Sequence, residues 1–476
     1  MKRRLEFREI IGLAGLILFV VSIVLTAAPN LATAKEKRIR VLTREQQGRS
    51  IEVFNEIAKR FEEKNSGVKV DIERCDYGDF ETKMIAAIQA NRAYEAIQGP
   101  AESLVANFGA RGLILPLKDV VDALGRDDYI EGLLADFWGH NYQIPYWAFG
   151  CGLWYRSDIF QEKGLKPPET WDDMLNVAKA LTEGDQYGFP LIYGPSDWTQ
   201  EQFFMWYWAN GGRIFDMNCN IAFDQEPYRS RMKQTLEFYQ KMKPYSPPGS
   251  VDYDWNTSQI AFAEGKTAMN VYWVRQLSNV VEHNPKIEPY TKQVHLPLGP
   301  NGKVKGAGGG AHGWVVMSQA RYPELGKEFI KHFMTGENYI DWLLAVPGMY
   351  KPSRKSYREN QRWLSDPLIQ KHKDDIMVSI EAARGGPWQI AQEWRIEDPK
   401  HWNIFAQSIQ YSKTLNNMVH KVTAKGYDIG KAIAEAAEET REELMDVKKN
   451  ILREVGKEKL IEILGKSKFE AAYKGI

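Results

Sequence analysis

Hydrophobic and polar positions follow a strand period and a helix period in turn from residue 39 onward. Residues 39–43 predict a β-strand, and residues 50–63 predict an amphipathic helix because apolar side chains recur on one face. A turn at residues 65–67 ends that helix, and residues 68–72 predict the next strand. This strand–helix–strand order predicts parallel strands with helices packed on both faces, which is an α/β fold.

The same alternation continues through the rest of the chain. Thr170 is a predicted N-cap, because acidic residues follow it in the first turn of the next helix. Further helices are predicted at residues 80–90, 225–242, 322–334 and 339–344 and from residue 258, with a strand at 267–273. No repeat of short fixed period is present, which argues against solenoids and propellers.

The sequence becomes rich in charged residues from residue 430 onward. Apolar residues such as Ile433, Leu444 and Ile451 recur every three or four positions among dense Glu, Lys and Arg. The pattern fits a helix packed on its own domain or a face that binds a coiled-coil partner. We prefer the packed helix, which is the commoner arrangement for a terminal segment.

The N-terminus carries the features of an export signal. Basic residues at positions 2–4 and 8 precede an apolar run at residues 10–25, and Ala32-Thr33-Ala34 follows. This order predicts a signal peptide, residues 1–34, that is cleaved after Ala34. A retained membrane anchor is the alternative, although the run is short for a span of about 20 residues. No Cys for lipid attachment stands near the site, and either interpretation places the protein in the periplasm or outside the cell.

Charge and length narrow the class of the mature protein. Removing four basic and two acidic leader residues from 62 of each leaves 58 basic and 60 acidic residues. A balance this even argues against nucleic-acid binding, which needs clustered Lys and Arg. The length exceeds what one hydrophobic core supports, about 250–300 residues, so two domains are expected.

No sequence pattern indicates a metal site or a redox site. The three cysteines, Cys75, Cys151 and Cys219, are too few for a disulfide framework and match no zinc spacing. Burial as small apolar side chains is the preferred interpretation for all three. The eight histidines are scattered, so we expect neither a metal nor a cofactor.

Enzyme motifs are absent or incomplete. Residues 308–313 satisfy G-x-G-x-x-G by letter, but a strand is predicted behind them at 314–317 instead of a helix, so the segment is interpreted as a flexible crossing. Residues 426–431 fall one residue short of a phosphate loop, and neither H-E-x-x-H nor G-x-S-x-G occurs. A carboxylate pair for glycosidic hydrolysis stays open, because no pattern singles one out.

Fifteen tryptophans are the unusual feature of the composition. Many of them must build cores, but the excess suggests a site that stacks flat apolar faces such as those of sugar rings. Trp206 and Trp208 stand at helical spacing from Phe203 and Phe204 and are predicted to pack in the core. Trp198 precedes that helix and is the better candidate for a binding cleft.

A family resemblance emerges in the middle of the chain. The stretch from Gly139, GHNYQIPYWAFGCGLWYRSDIFQEKGLKPPETWDD, resembles the diagnostic segment of the extracellular solute-binding proteins of ABC importers, in the group of type-1 sugar-binding proteins. FGARGLILPLKD from Phe108, FAEGKTAM from Phe262, LPLGPNGKVKGAGGG from Leu296 and GMYKPSR from Gly348 are similar to further elements of that family, in the same order. Residues 93–96 depart from the family's G-x-x-P-D pattern.

The resemblance implies a two-lobed fold of the periplasmic-binding-protein type II. Each lobe is then a mainly parallel sheet flanked by helices, and three crossings form the hinge. Residues 35–146 and 297–350 would form the first lobe, and residues 147–296 and 351–476 the second. The resemblance also implies an extracytoplasmic receptor, expected as a monomer and without enzymatic activity, that binds a carbohydrate between its lobes and delivers it to membrane permease subunits.

Loops at the carboxyl ends of parallel strands and residues on the crossings are the expected ligand contacts. The predicted ligand-binding residues are Glu45, Gln47, Asp76, Tyr77, Trp147, Phe149, Trp198, Trp273, Arg275, His312, Trp314 and Trp388. In this hypothesis the indole rings at 147, 198, 273 and 314 stack on a sugar, while Glu45, Asp76 and Arg275 bind its hydroxyls. Two alternatives are a receptor of the same fold for a polyamine or phosphate ester, and an exported carbohydrate-active enzyme.

Overall fold

A computed structural model describes residues 36–45, 48–76, 79–303 and 308–476 of the chain. The predicted signal peptide, residues 1–34, lies outside the described residues, as do the predicted site residues Gln47 and Tyr77. In the described part, the strands are β1 (Lys37–Thr43), β2 (Val68–Arg74), β3 (Ala96–Gln98), β4 (Ile144–Gly150), β5 (Gly152–Arg156), β6 (Met269–Tyr272), β7 (Thr291–Val294) and β8 (Gly309–Val315).

The helices, with 3-10 turns left aside, follow in chain order. They are α1 (Gly48–Lys64), α2 (Phe80–Gln89), α3 (Glu102–Ala110), α4 (Lys118–Leu124), α5 (Ser157–Glu162), α6 (Trp171–Leu181), α7 (Asp197–Ala209), α8 (Tyr228–Met242), α9 (Trp255–Ala263), α10 (Arg275–His283), α11 (Pro323–Phe333), α12 (Gly336–Leu343), α13 (Lys355–Arg358), α14 (Gln361–Leu364), α15 (Pro367–Lys371), α16 (Lys373–Gly385), α17 (Ala406–Gln410), α18 (Lys413–Lys425), α19 (Ile429–Val455), α20 (Lys457–Leu464) and α21 (Lys466–Ala472).

The larger sheet has five strands in the order β2–β1–β3–β8–β4. β1 pairs with β2 in parallel from Lys37 opposite Val68 to Thr43 opposite Arg74, and β3 lies parallel to β1 on its other side. The predicted strand–helix–strand opening is therefore confirmed. β8 is antiparallel to both β3 and β4. We call this sheet and the helices packed on it the first lobe.

The smaller sheet has the order β6–β5–β7, and both of its strand pairs are antiparallel. We call it, with its helices, the second lobe. The expectation of mainly parallel strands thus holds for β1 to β3 and not for this sheet. Periodicity reveals that a segment is a strand, but strand direction depends on where the intervening helices return the chain.

The core of the first lobe forms around α1. Val53, Phe54, Ile57 and Phe61 lie on the buried face of the predicted amphipathic helix. Phe54 packs against the rings of Trp314, Phe329, Phe333 and Trp342, which come from β8, α11 and α12. Aromatic rings from distant segments therefore close this core over one face of the sheet.

The core of the second lobe forms around α7. Phe203, Trp206 and Tyr207 are buried, and Trp206 packs edge-on against Phe189 with ring centroids 5.8 Å apart. Phe203 meets Tyr239 of α8 at 5.1 Å. The prediction that Trp206 and Trp208 pack in the core is confirmed, because both are at most 6% exposed.

The two sheets are joined where β4 continues into β5 and where the chain returns from β7 to β8. Helix α16 packs against β4 and β8 of the larger sheet and against β5 and β7 of the smaller one. Residues 348–354 run beside β4, where Lys351 forms a bridge with Ala148. These contacts place the junction of the lobes beneath α16.

The glycine-rich segment at 308–313 differs from the prediction of a flexible crossing. Gly309 to Val315 is strand β8, which is buried throughout and lies between β3 and β4. A Cβ at Gly309 would stand 2.3 Å from the carbonyl oxygen of Ala382, and one at Gly310 would stand 2.6 Å from the ring of Trp388. The glycines therefore permit a close approach of this buried strand to neighbouring backbone and rings.

The C-terminal helix packs on its own chain, as predicted. Ile433, Ala437, Thr440 and Leu444 of α19 are buried, and α19 contacts α18 and α8. In the part of the chain that the structure describes, no helix is both long and apolar enough to cross a membrane. The three cysteines are buried, which agrees with their interpretation as small apolar side chains.

Candidate functional site

A cavity of about 820 Å³ opens between segments of the two lobes. Its first wall follows the carboxyl ends of β2 and β3 and includes the start of α2. Its second wall is the first turn of α7, and a third part comes from α17 and the residue behind it. The lining includes Asp76, Phe80, Glu81, Trp198, Glu201 and Tyr411, together with Gly99, Asp197 and Gln407.

Parallel strand order explains the first wall. β2 and β3 both lie parallel to β1, so the loops behind them open at the same edge of the sheet. Asp76 follows β2 and Gly99 follows β3 at this edge. Asp76 is exposed, and its carboxylate lies at the mouth of the cavity.

Helix α7 supplies the second wall from its first turn. Trp198 and Glu201 stand three residues apart in the helix and therefore share one face. Trp198 is half-buried and meets the ring of Trp255 edge-on at 6.5 Å, and Trp255 in turn contacts Trp273 at 4.9 Å. Trp198 therefore connects the cavity with an aromatic cluster of the second lobe.

The carboxylate of Glu201 has an unusual environment. The indole Nε1–H of Trp255 donates a hydrogen bond to Oε2 at 2.8 Å. Removal from water, and to a smaller extent the nearby carboxylate of Asp197, raise the pKa of Glu201 to about 7, although Trp255 and Arg44 favour its charged form. The side chain of Arg44 lies against Gly99, where a Cβ would stand 2.8 Å from its Cδ.

Four aromatic residues meet at the junction of the lobes, and we call them the hinge cluster. They are Trp147 and Phe149 of β4, His312 of β8, and Trp388. Phe149 stacks on His312 with centroids 4.5 Å apart, and Trp388 meets both rings edge-on at 5.0 and 5.1 Å. All four are predicted site residues, which the fold brings together from three distant segments.

Buried polar groups surround the hinge cluster. Glu102 accepts hydrogen bonds from Nε1 of Trp388 at 2.6 Å and from the backbone N–H of Ala311 at 3.3 Å, and burial raises its pKa to about 7. Burial lowers the pKa of His312 well below its ordinary value. Lys351, whose Nζ lies 5.7 Å from the ring centroid of Trp147, is fully buried, and this lowers its pKa to about 7.

Three further predicted site residues, Glu45, Trp314 and Arg275, lie in different surroundings. Glu45 is buried, and its carboxylate accepts hydrogen bonds from the hydroxyls of Tyr350 at 2.5 Å and Tyr146 at 3.3 Å. Trp314 is completely buried in the core of the first lobe and is not part of the cavity wall. Arg275 begins α10, directly behind the strand that precedes Trp273.

The departure at residues 93–96 has a structural explanation. The carboxylate of Glu95 is buried and accepts backbone hydrogen bonds from Arg40 at 2.7 Å, Arg321 at 3.1 Å and Tyr322 at 3.2 Å. Glu95 therefore joins β1 to the start of α11. All of these described contacts lie within the framework of the first lobe.

Several cavity residues escape sequence reasoning. These are Phe80, Glu81, Asp197, Glu201, Gln407 and Tyr411. Helical spacing from Trp198 could have revealed Glu201, because residues three apart share a helix face. No pattern marks Gln407 or Tyr411, since they reach the cavity only through the packing of α17 against α3. Within the described ranges, no group of three or more His, Cys, Asp or Glu side chains is arranged to hold a metal ion.

Comparison with known proteins adds independent findings. The family model described as bacterial extracellular solute-binding protein matches residues 47–340. YcjN of Escherichia coli K12, named as an ABC transporter periplasmic-binding protein, is 22% identical over 408 residues, which cover 83% of this chain and 89% of that protein. A mannitol-binding protein of Pseudomonas aeruginosa is 31% identical over 178 residues, 35% of this chain and 38% of that protein.

A solved structure shares the fold. An ABC transporter solute-binding protein of Thermotoga lettingae, bound with α-D-tagatose, superposes with a TM-score of 0.67 at 19% sequence identity. The superposition covers 86% of this chain and 100% of that one. This likeness confirms the predicted two-lobed architecture.

Proposed function

The chain belongs to the bacterial extracellular solute-binding proteins, and from this premise we propose that it captures a carbohydrate or polyol between its lobes and delivers it to the membrane subunits of an ABC importer. The observation that carries the proposal is the 820 Å³ cavity, whose walls come from both lobes and combine aromatic faces with carboxylates. Aromatic rings stack on the apolar faces of sugars, and carboxylates accept hydrogen bonds from hydroxyls.

Relatives support this class of solute. The Pseudomonas relative is named for mannitol, and the Thermotoga structure contains tagatose, so both are associated with small polyhydroxylated molecules. The cavity volume falls within the range of about 300–1,000 Å³ that is usual for small-molecule sites. A mono- or disaccharide, or a polyol of similar size, therefore suits the space.

Binding between lobes provides a signal as well as affinity. A solute that contacts both Asp76 of the first lobe and Trp198 of the second favours the closed arrangement, because only that arrangement offers both contacts at once. In this proposal the chain bends near the domain boundaries predicted at 146/147, 296/297 and 350/351. The closed receptor is then the form that the permease recognises.

The absence of catalysis and the export route belong to the same proposal. The family consists of solute-binding proteins, and we infer that this member releases its solute unchanged. We also infer that the leader is removed after Ala34, so the exported protein begins at Lys35. Mass spectrometry of the secreted protein would detect that N-terminus, and a longer N-terminus would contradict it.

Calorimetry on the exported protein tests the function directly. The panel contains mannitol, sorbitol, ribitol, tagatose, maltose and maltotriose, and chromatography of each mixture checks for new products. We expect saturable binding of at least one compound at one site per chain, without turnover. Failure of every carbohydrate and polyol to bind, or release of a cleaved product, would overturn the proposal.

A further inference from the structure

The charged side chains that line the cavity in the described residues are all acidic. Asp76, Glu81, Asp197 and Glu201 all line it, whereas no lysine, arginine or histidine is among the described residues of its lining. Arg44 lies beside it, against Gly99, and is the nearby cation that acts on Glu201. The acidic side chains outnumber the one nearby guanidinium, which favours a cation in a space that is partly removed from water.

The polar partners of these carboxylates are neutral. Nε2 of Gln407 donates to Oε2 of Glu81 at 3.0 Å, Nδ2 of Asn416 to Oδ1 of Asp197 at 3.2 Å, and Nε1 of Trp255 to Oε2 of Glu201 at 2.8 Å. Among the described residues, none of the four carboxylates forms an ion pair with a side chain. These carboxylates are therefore available to a ligand, and a cation beside Glu201 would favour the charged form of a group whose pKa burial raises to about 7.

Carboxylates elsewhere in the chain have two kinds of partner. Asp128 is paired with Arg354 at 2.9 Å and Asp341 with Arg60 at 2.6 Å, whereas the buried Glu95 accepts hydrogen bonds from backbone N–H groups. The cavity carboxylates differ from both kinds in their position, because they line an open space between the lobes.

Aromatic rings in the same cavity also favour a positively charged ligand. Phe80, Trp198 and Tyr411 line the space together with the carboxylates. The face of an aromatic ring attracts cations, and it also stacks on the apolar face of a sugar. A metal ion does not explain the arrangement, because no three metal-ligating side chains converge among the described residues.

We propose that the solute is an amine-bearing carbohydrate or polyol, whose protonated nitrogen lies between Glu201 and Asp197 while its carbon skeleton stacks on Trp198. The proposal rests on the function inferred above and specifies the substrate class of the same cavity. A neutral sugar would leave the carboxylates with hydroxyl partners alone. A protonated amine adds charge-assisted hydrogen bonds, which are stronger than those between neutral groups.

Matched ligand pairs test the charge preference. Calorimetry compares 1-amino-1-deoxy-D-sorbitol with D-sorbitol, and D-glucosamine with both D-glucose and N-acetyl-D-glucosamine. The sorbitol and glucose pairs keep the shape nearly constant while the positive charge differs, and N-acetyl-D-glucosamine keeps the nitrogen but removes its charge. We expect the amine to bind at least about tenfold more tightly than its neutral partner in one of the pairs, which is the scale of one charge-assisted hydrogen bond.

Two variants test which carboxylates bind the positive charge of the amine. Glu201→Gln keeps an oxygen that can accept the hydrogen bond of Trp255, and Asp197→Asn alters an exposed position at the rim, so at least one variant should fold. Each should reduce the preference for the amine by about tenfold while changing the affinity for the neutral partner less. Glu438→Gln, an exposed carboxylate on α19 far along the chain, is the matched control and should change neither affinity.

The outcomes separate this inference from the function on which it rests. Equal or tighter binding of the neutral compounds, or a preference that survives both variants, overturns the amine assignment and leaves a sugar receptor. Putrescine is added to the panel as a polyamine without hydroxyl groups, and its binding without that of any carbohydrate or polyol overturns the proposed function as well. If nothing on either panel binds, both proposals fail.

Discussion

The imidazole of His312 lies flat on the ring of Phe149, with centroids 4.5 Å apart and ring planes inclined by 21°. The two residues stand on neighbouring antiparallel strands, β8 and β4, at the place where the chain passes from one lobe to the other. Their contact joins two neighbouring strands at the junction of the lobes. The junction therefore depends on packing as well as on backbone hydrogen bonds.

Truncation of Phe149 should weaken this junction. Phe149→Ala removes a side chain that is 1% exposed and leaves a cavity among Trp147, His312 and Trp388. We expect a loss of about 3–5 kcal/mol in the free energy of unfolding, measured by urea denaturation. Phe149→Leu keeps more of the apolar volume and should cost clearly less. Equal losses in the two variants would contradict the packing role.

Truncation of two tryptophans of α7 should affect two different properties, ligand affinity in one case and stability in the other. Trp198→Ala removes a half-buried ring from the cavity wall, so we expect a loss of about 1–3 kcal/mol in ligand affinity with little change in unfolding. Trp206→Ala truncates a fully buried ring and should cost about 3–5 kcal/mol of stability. Calorimetry and thermal unfolding on both variants provide the comparison. Unchanged affinity in Trp198→Ala would remove this ring from the site.

Glu102 should make stability depend on pH. Its folded-state pKa of about 7 exceeds the ordinary value of 4.5, so the folded protein retains a proton that the unfolded chain loses across this interval. The contribution to stability is complete below pH 4.5 and decreases as the pH rises through 7. Glu102→Gln removes this titration, so its stability relative to the parent should increase with pH by roughly 1–3 kcal/mol between those values.

Urea denaturation at half-unit pH steps measures the difference between Glu102→Gln and the parent. Subtracting the two curves cancels the groups that titrate in both proteins. The exposed Glu438→Gln serves as the control and should run parallel to the parent throughout. Parallel curves for Glu102→Gln as well would show that this carboxyl titrates normally.

Gly150 should resist substitution because of close packing. A Cβ at this position, where β4 meets α16, would stand 2.1 Å from the carbonyl oxygen of Ser379 and 2.6 Å from the Cβ of Ala382. We expect Gly150→Ala to destabilise the protein by at least about 1–3 kcal/mol, because strand and helix must separate. Gly249→Ala, where nothing lies within 4 Å, should be nearly neutral in the same thermal melt. Similar melting temperatures for both variants would refute the close approach.

Local pattern was sufficient for much of the framework. The strands at Lys37–Thr43 and Val68–Arg74, the amphipathic α1 and the packed terminal helix were all predictable, because periodicity depends on a few neighbouring residues. The motif from Gly139 to Trp171 was sufficient to predict the family, which the match over residues 47–340 confirms. The strand at Gly309–Val315 was predicted only from residue 314 onward, because its glycines serve contacts with α16 and Trp388 that no local pattern contains.

Residue type alone did not distinguish the ligand-facing rings from the core. Trp198 lines the cavity and Trp314 is sealed beneath Phe54 and Phe333, although both were equally good candidates for stacking on a sugar. The direction in which each ring points depends on helices that lie far away in the chain. The same holds for the acidic cavity, because Glu81 and Glu201 are 120 positions apart and meet only when the lobes pack face to face. The amino-acid sequence was sufficient to predict the secondary-structure elements and the family. The cavity between the lobes, with its carboxylates and aromatic rings, forms only through long-range packing.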